Sequence, residues 1–189
     1  MSRDLARMLE MFNHAPRHIG IVREVASLGL CDCWVAAGFV RSFVWDLLHG
    51  RNSNEIPADV DVVYFDPADV SAKRDERLTN ELKARCPGVG FSVKNQVRMA
   101  QRNGHRNYSC SADAMSFWPE TCTAVGIAAS QRGSGLILCA PFGTEDLLSL
   151  IVRPTATDAE TIRLARGRMN DKRWREIWPR LTVSPELDP

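Results

Sequence analysis

The sequence predicts an α+β domain with one mixed β-sheet flanked by helices. Apolar residues recur at helical spacing in some segments and at strand spacing in others. These segments follow one another as helices, strand, helix, strand, helix, strand and a final strand pair, the order expected of a sheet covered by helices. No repeat, low-complexity tract or linker divides them, and 189 residues at 44% hydrophobic and 25% charged suit one domain. Within 1–189, residues 1–30 read as N-terminal helices, 31–142 as the core sheet and 143–189 as C-terminal helices.

Residues 2–13 and 17–29 repeat apolar positions at helical spacing, with Gly29 as the stop. CWVAAG, from Cys33, is a buried strand by its β-branched and aromatic content, ended by Gly38. Val40, Phe43, Val44, Leu47 and Leu48 then share one helical face, closed by His49 and Gly50. RNSNEIPA is a polar loop, and DVDVVYFD is the next strand, stopped by Pro67. Residues 69–85 form a charged surface helix, CPGVG turns, and FSVKNQVRM is a strand through Met99. QRNGHRNYSCSAD is a basic polar loop. A short helix at DAMSFWP leads to two strands, CTAVGIAAS and LILCAP, joined by the glycine turn QRGSG. TEDLLSLIV and DAETIRLARGRMNDKRWREIW close the chain as helices, each with Thr or Asp near its start.

The balance of 24 basic and 23 acidic residues gives a formal charge of +1, so no overall field marks a general nucleic-acid or membrane binder. The N-terminus has no continuous apolar region of the secretory type and no run approaches a membrane span, so a cytoplasmic protein with no membrane partner is expected. The six cysteines include only one CxC pair and find no histidine pattern to complete a metal site, and they read as buried reduced thiols.

The chemistry centres on Asp59 and Asp61. A carboxylate placed in a strand of valine, tyrosine and phenylalanine costs several kcal/mol unless something compensates it. Residues two apart on a strand point the same way, so the two carboxylates share a face and can share a divalent cation. Magnesium is the natural choice, since it takes one or two protein carboxylates and completes its shell with phosphates and water. Gly38, between a strand and a helix, lets the backbone approach a triphosphate, and the first amides of that helix favour anions. Arg41 in its first turn and Lys94 on the later strand are candidate phosphate partners. On a continuous strand Lys94 and Arg98 would share a face. Arg102, His105, Arg106 and Tyr108 make the adjoining loop suited to a nucleic-acid backbone and to base stacking.

Ala37-Gly38, Val40-Arg41, Leu47-Leu48, Gly50 and Asp59-Val60-Asp61 together resemble the nucleotidyltransferase superfamily that includes DNA polymerase beta, and within it the head domain of the CCA-adding tRNA nucleotidyltransferases. VKNQVRM, DAMSFWPETCTAVG and APFGTEDLLSLIVRP resemble a bacterial family of nucleotidyltransferase-like proteins, over nearly the whole chain. The resemblance implies a nucleotidyltransferase fold and magnesium-dependent transfer of a nucleoside monophosphate from an NTP to RNA, protein or a small molecule. It implies catalytic, metal-binding Asp59 and Asp61, nucleotide-binding Gly38, Phe39, Arg41 and Lys94, and an acceptor loop carrying Arg102, His105 and Arg106, in a monomer or weak oligomer. Ala37 replaces the first glycine of the superfamily's pair, and Ser42 stands where the tRNA enzymes carry Asp. A third carboxylate is expected from a later strand, and its substitutes here are Asn95 and Asp113. A non-catalytic nucleotide- or RNA-binding module of the same fold, and a toxin or antitoxin component, are the alternatives.

Overall fold

Helices α1 (Arg3–Asn13) and α2 (Pro16–Ala26) open the chain, and β1 (Trp34–Ala36) leads into α3 (Gly38–Leu48). The computed structural model describes residues 3–51, 55–130 and 135–188. Next come β2 (Asp59–Tyr64), α4 (Ala72–Arg85), β3 (Gly90–Asn95), α5 (Gln96–Arg102) and α6 (Ser111–Met115). After them follow β4 (Gly126–Ala129), β5 (Leu136–Cys139), α7 (Glu145–Leu148) and β6 (Ile151–Val152). The last elements are α8 (Ala159–Asp171), α9 (Trp174–Ile177) and β7 (Thr182–Val183). The glycine turn read at QRGSG lies outside the described residues except for Gly135, as does the middle of the RNSNEIPA loop.

The sheet is mixed, as the sequence predicts. Its strands run in the order β3-β2-β1-β4-β5, with β2 and β3 parallel and the other pairs antiparallel. Side chains alternate between faces. One face carries Val35, Val60, Val62, Tyr64, Phe91, Val93 and Ile127 into the main core, against residues of α1 to α4. The opposite face carries Asp61 beside Ala36 and Ser92, with Val63 beside Trp34 and Lys94. Only a small apolar cluster of Ala36, Val63 and Met115, with Trp34, Trp118 and Cys139, covers that second face. Gly90 holds the register at its start, since a Cβ there would stand 2.2 Å from the Ala58 carbonyl oxygen.

The strand read through Met99 ends at Asn95, because the Asn95 side chain caps a helix instead. Its Oδ1 accepts from the amides of Val97 at 3.2 Å and Asp66 at 3.3 Å, and its Nδ2 donates to the carbonyls of Asp66 at 2.7 Å and Asp69 at 3.0 Å. Met99 and Ala100 then bury at helical spacing against Tyr108. Lys94 and Arg98 therefore do not share a strand face. Arg98 pairs with the buried Asp75, which also accepts from the Tyr64 hydroxyl at 2.8 Å and the Asn95 amide at 3.1 Å. That carboxylate bolts β2, β3, α4 and α5 together.

Three other expectations are corrected. The helix read at TEDLLSLIV stops at Leu148, Leu150 takes φ +59°, and Ile151–Val152 pairs in parallel with β7. The last long helix breaks at Arg173, at φ +51°, into α8 and α9. The six cysteines are all free, but only Cys122 is fully buried and Cys31 is exposed. Among the described residues no helix is long and apolar enough to cross a membrane.

His18 joins α2 to the core with no exposed surface and, among the described residues, no hydrogen-bond partner on either ring nitrogen. Phe12, Phe39 and Phe43 surround it at ring-centre distances of 6.1, 5.0 and 4.3 Å. Burial, helped by the charge of Arg17, lowers its pKa to about 4. The unfolded chain binds the proton near the ordinary pKa of 6.5, so this stability is complete above pH 6.5 and is lost as pH falls towards 4. The loss amounts to about 3 kcal/mol. Urea unfolding between pH 7.5 and 4.5 should show this decline, and His18→Leu should flatten it; an unaltered slope in the variant would refute the assignment.

Candidate active site

The site grows from the tight turn between β1 and α3. Ala37 adopts φ +55° and ψ −123°, a conformation glycine takes freely and alanine only under strain, and it caps α3 without a side-chain bond. The Ala37 amide donates to Val125 at 3.0 Å, and its carbonyl accepts from Val40 at 3.1 Å and Arg41 at 2.9 Å. Among the described residues the amides of Gly38 and Phe39 find no acceptor, leaving two donors at the positive end of an eleven-residue helix.

Register brings Asp61 to this turn. It lies across β1 from Ala36 and across β3 from Ser92, while Asp59 stands two residues earlier on the same face. Asp59 is exposed and Asp61 half-buried. Burial pushes the Asp61 carboxyl above the usual carboxylate range, with Arg168 and Lys172 of α8 opposing that rise. Among the described residues neither aspartate side chain accepts a hydrogen bond or closes an ion pair. Asp61 opens on a cavity of about 230 Å³ lined by Ala37, Val63, Ser92, Lys94, Gln96, Met99, Asn103, Trp118, Pro119 and Arg168.

Arg41 lies beneath this surface. It is 4% exposed, with its guanidinium 4.2 Å from the Trp174 ring centre and 5.2 Å from that of Trp45. Its Nη1 donates to Thr123 Oγ1 at 3.0 Å and its Nη2 to Ser42 Oγ at 3.4 Å. Burial brings its pKa down to about 10, which leaves it charged. The Phe39 side chain is fully buried against Phe12 and His18, so only its amide faces the turn. Lys94 lines the cavity.

The two substitutes for a third carboxylate are both engaged elsewhere. Asn95 spends all four amide hydrogen-bonding positions on backbone. Asp113 accepts from Arg106 Nη1 at 2.8 Å and Nη2 at 2.7 Å and from the Ser109 amide at 2.8 Å, and Arg106 holds its pKa far below the usual range. Among the described residues no three His, Cys, Asp or Glu side chains gather to hold a metal ion. Asp59 and Asp61 still suit magnesium, as two unpartnered oxygen ligands on one face with room for phosphate and water.

The segment read as an acceptor loop meets this cavity through Met99 and Asn103, whereas Arg102, His105 and Arg106 do not line it and His105 borders a separate cavity with Arg98 and Gln101. His105 Nδ1 and the Tyr108 hydroxyl lie 2.5 Å apart, the His105 ring stacks on Phe117 at 4.7 Å, and Arg106 sits over Phe117 at 5.0 Å. The loop is thus braced, and Arg102, at the end of α5 just before it, is an exposed cation without a partner among the described residues. Sequence reasoning missed Arg168 and Glu120. Glu120 is fully buried, and its Oε1 lies 2.9 Å from Arg168 Nε. Its signal was the one that exposed Asp59 and Asp61: a carboxylate within an otherwise apolar and hydroxylated run, FWPETCTAV.

Comparison with known proteins fits this arrangement. The sequence profile described as Nucleotidyltransferase matches residues 23–183. A solved structure reported as "the NMR structure of the protein reveals a CCA-adding enzyme head domain" is similar at TM-score 0.82 and 37% identity, over 94% of each chain. The Thermotoga maritima CCA-adding enzyme complexed with tRNA is similar at TM-score 0.56 and 16% identity, over 97% of this chain and 43% of that one. A tRNA nucleotidyltransferase complexed with a primer tRNA and an incoming ATP analog gives TM-score 0.53 and 17% identity, over 89% of this chain and 47% of that one. These last two speak for the fold alone, and this chain spans less than half of each. No curated protein sequence matches it.

The strain at Ala37 is directly testable. A non-glycine residue in so sparsely populated a region costs about 1–3 kcal/mol, and glycine gives back about 0.5–1 kcal/mol through the unfolded chain. Ala37→Gly should therefore raise stability by about 1 kcal/mol, read as a higher urea midpoint at unchanged m value. A lower midpoint would show that the turn does not strain alanine.

Proposed function

This chain belongs to the nucleotidyltransferase family, and we propose that it moves a nucleoside monophosphate from an NTP to an acceptor hydroxyl, releasing pyrophosphate, with Asp59 and Asp61 as the metal-binding carboxylates. The observation that carries this reading is their position: two unpartnered carboxylates on the open face of the sheet, one strand away from two unpartnered helix amides. Magnesium bound there would neutralise the charge that develops on the transferred phosphoryl group. The amides of Gly38 and Phe39 receive phosphate oxygens, and Arg41 adds a buried positive charge beneath them. Lys94 faces the same cavity as a point charge for phosphate. Most of the catalytic work in such a reaction is positioning and charge stabilisation, which rigid strand and helix ends supply.

The acceptor would enter along the cavity wall made by α5, past Asn103 and Arg102. An RNA end is the favoured acceptor, because the exposed Arg102, without a partner among the described residues, and the exposed Phe117 ring, braced by His105 and Tyr108, suit a phosphate backbone and a stacked base. The CCA-adding enzymes of the same fold are themselves found with tRNA.

A second reading has one observation in its favour. Asn95 and Asp113 are both committed to structure, so no third acidic ligand joins the pair, and a domain of this kind could hold a nucleotide without reacting it. Incubation with each labelled NTP and an RNA pool separates the two. Product that forms in the wild type and disappears in Asp61→Asn removes the binding-only reading.

The metal assignment makes its own prediction. An Asp59→Ala, Asp61→Ala double variant should bind NTP with magnesium on the order of 10²-fold more weakly, or not measurably. Equal affinities in wild type and variant would exclude these residues as the metal ligands.

A further inference from the structure

Glu120 and Arg168 form an ion pair between a buried carboxylate and a partly exposed guanidinium. Arg106 gives both terminal nitrogens of its fork to Asp113, at 2.8 and 2.7 Å, and the pair is complete in itself. Arg168 Nε approaches Glu120 Oε1 to 2.9 Å as an ion pair without hydrogen-bond geometry, so the two buried atoms are held by charge alone. Its Nη1 and Nη2 have no partner among the described residues. The exposure of the two partners is equally unequal, since Glu120 is wholly buried while the Arg168 side chain is 40% exposed and lines the cavity with Asp61 and Ala37. A buried anchor thus holds the near side of the guanidinium and leaves the far side open to the cavity.

We propose that Arg168 is a further phosphate-contacting residue of this site, taking oxygens of a triphosphate on its two terminal nitrogens, and that Glu120 is the residue that positions it. The proposal rests on the reading of the cavity as an NTP site. Its charge logic is local. Glu120 serves two buried or half-buried cations, Arg41 and Arg168, so one positive charge remains in excess on this wall. Without a ligand, the field of Arg168 falls on Asp61. A divalent cation on Asp59 and Asp61 takes over that compensation, and the planar fork of Arg168 is then available to an anion. Lys172, the residue that caps the end of α8 four positions after Arg168, adds a second cation to the approach.

Inorganic tripolyphosphate with magnesium is the probe, because it carries the phosphates without a base. Titration calorimetry should show Arg168→Gln binding it about tenfold or more weakly than wild type, with Arg168→Lys intermediate. Glu120→Gln should weaken it several-fold, and that effect should vanish in the Arg168→Gln background, the mark of action through Arg168. In wild type, the Arg168 Nε–Hε resonance should shift as tripolyphosphate is added, a readout that does not depend on the variants folding. If Asp61→Ala abolishes tripolyphosphate binding while Arg168→Gln and the Arg168 resonance leave it unmoved, Arg168 is only the counter-ion of Glu120 and the proposal falls alone. If wild type binds neither tripolyphosphate nor any of the four common NTPs, the nucleotide reading itself fails and takes this inference with it.

Discussion

Arg41 is a guanidinium taken almost entirely out of water, and the arrangement of the candidate site follows from making that tolerable. A buried arginine does not escape its charge by deprotonating, so it must be met by negative charge, hydrogen-bond acceptors and aromatic faces. Trp45 of its own helix and Trp174 of α9 supply the faces, Thr123 supplies an acceptor, and Glu120 supplies the charge. Those residues come from α3, from the loop before β4 and from the C-terminal helices. One cation therefore ties together segments more than a hundred residues apart. Trp178 reinforces the same junction by donating to Asp46 of α3 at 2.7 Å and meeting Trp45 edge-on at 5.1 Å.

The sheet explains why polar chemistry can sit so near this core. Its apolar face buries the alternate residues of β1, β2 and β3 under helices, and that burial supplies most of the stability. The other face is then free to carry Asp61, Ser92 and Lys94 around an open cavity. Because the side-chain period of a strand is two, slipping β2 by one residue would send both aspartates into the core and a valine row into solvent. Gly90 resists such a slip through its close approach to the Ala58 carbonyl. Register is thus a requirement of function here as well as of packing.

The alternation of Val60, Asp61 and Val62 and the helical face of α3 were readable because each depends only on neighbours in sequence. The same reasoning placed the mixed sheet, the Asp pair on one face and the turn at Gly38. It failed where a side chain's partner lies far away. Asn95 looked like a strand residue with a weak metal ligand, and only its four bonds to the 66–69 turn and to α5 make it a cap. Arg41 was read as a phosphate partner from its place in the first turn of a helix, and its burial is decided by Trp174, 133 positions later. Arg168 stood within a helix full of arginines, where nothing in the spacing separates the one that faces Asp61 from those in solvent. Leu150 and Arg173, both at positive φ, broke predicted helices at residues whose side chains carry no turn signal.

The distribution of unmet partners argues for the kind of ligand the site takes. Elsewhere several charged groups answer one another, as Asp75 does Arg98, Asp113 does Arg106 and Asp66 does Arg74. At and beside the cavity, among the described residues, the Asp59 and Asp61 side chains have no donor, the amides of Gly38 and Phe39 have no acceptor, and the terminal nitrogens of Arg168 have no partner. A cation alone would satisfy the aspartates and leave the donors idle. A phosphate alone would satisfy the donors and meet the repulsion of Asp61. A metal ion and a polyphosphate arriving together satisfy both sets at once, each screening the other from the charge it would otherwise face. On the proposed reading the site is built for that pair, and its affinity for either partner alone is correspondingly weak.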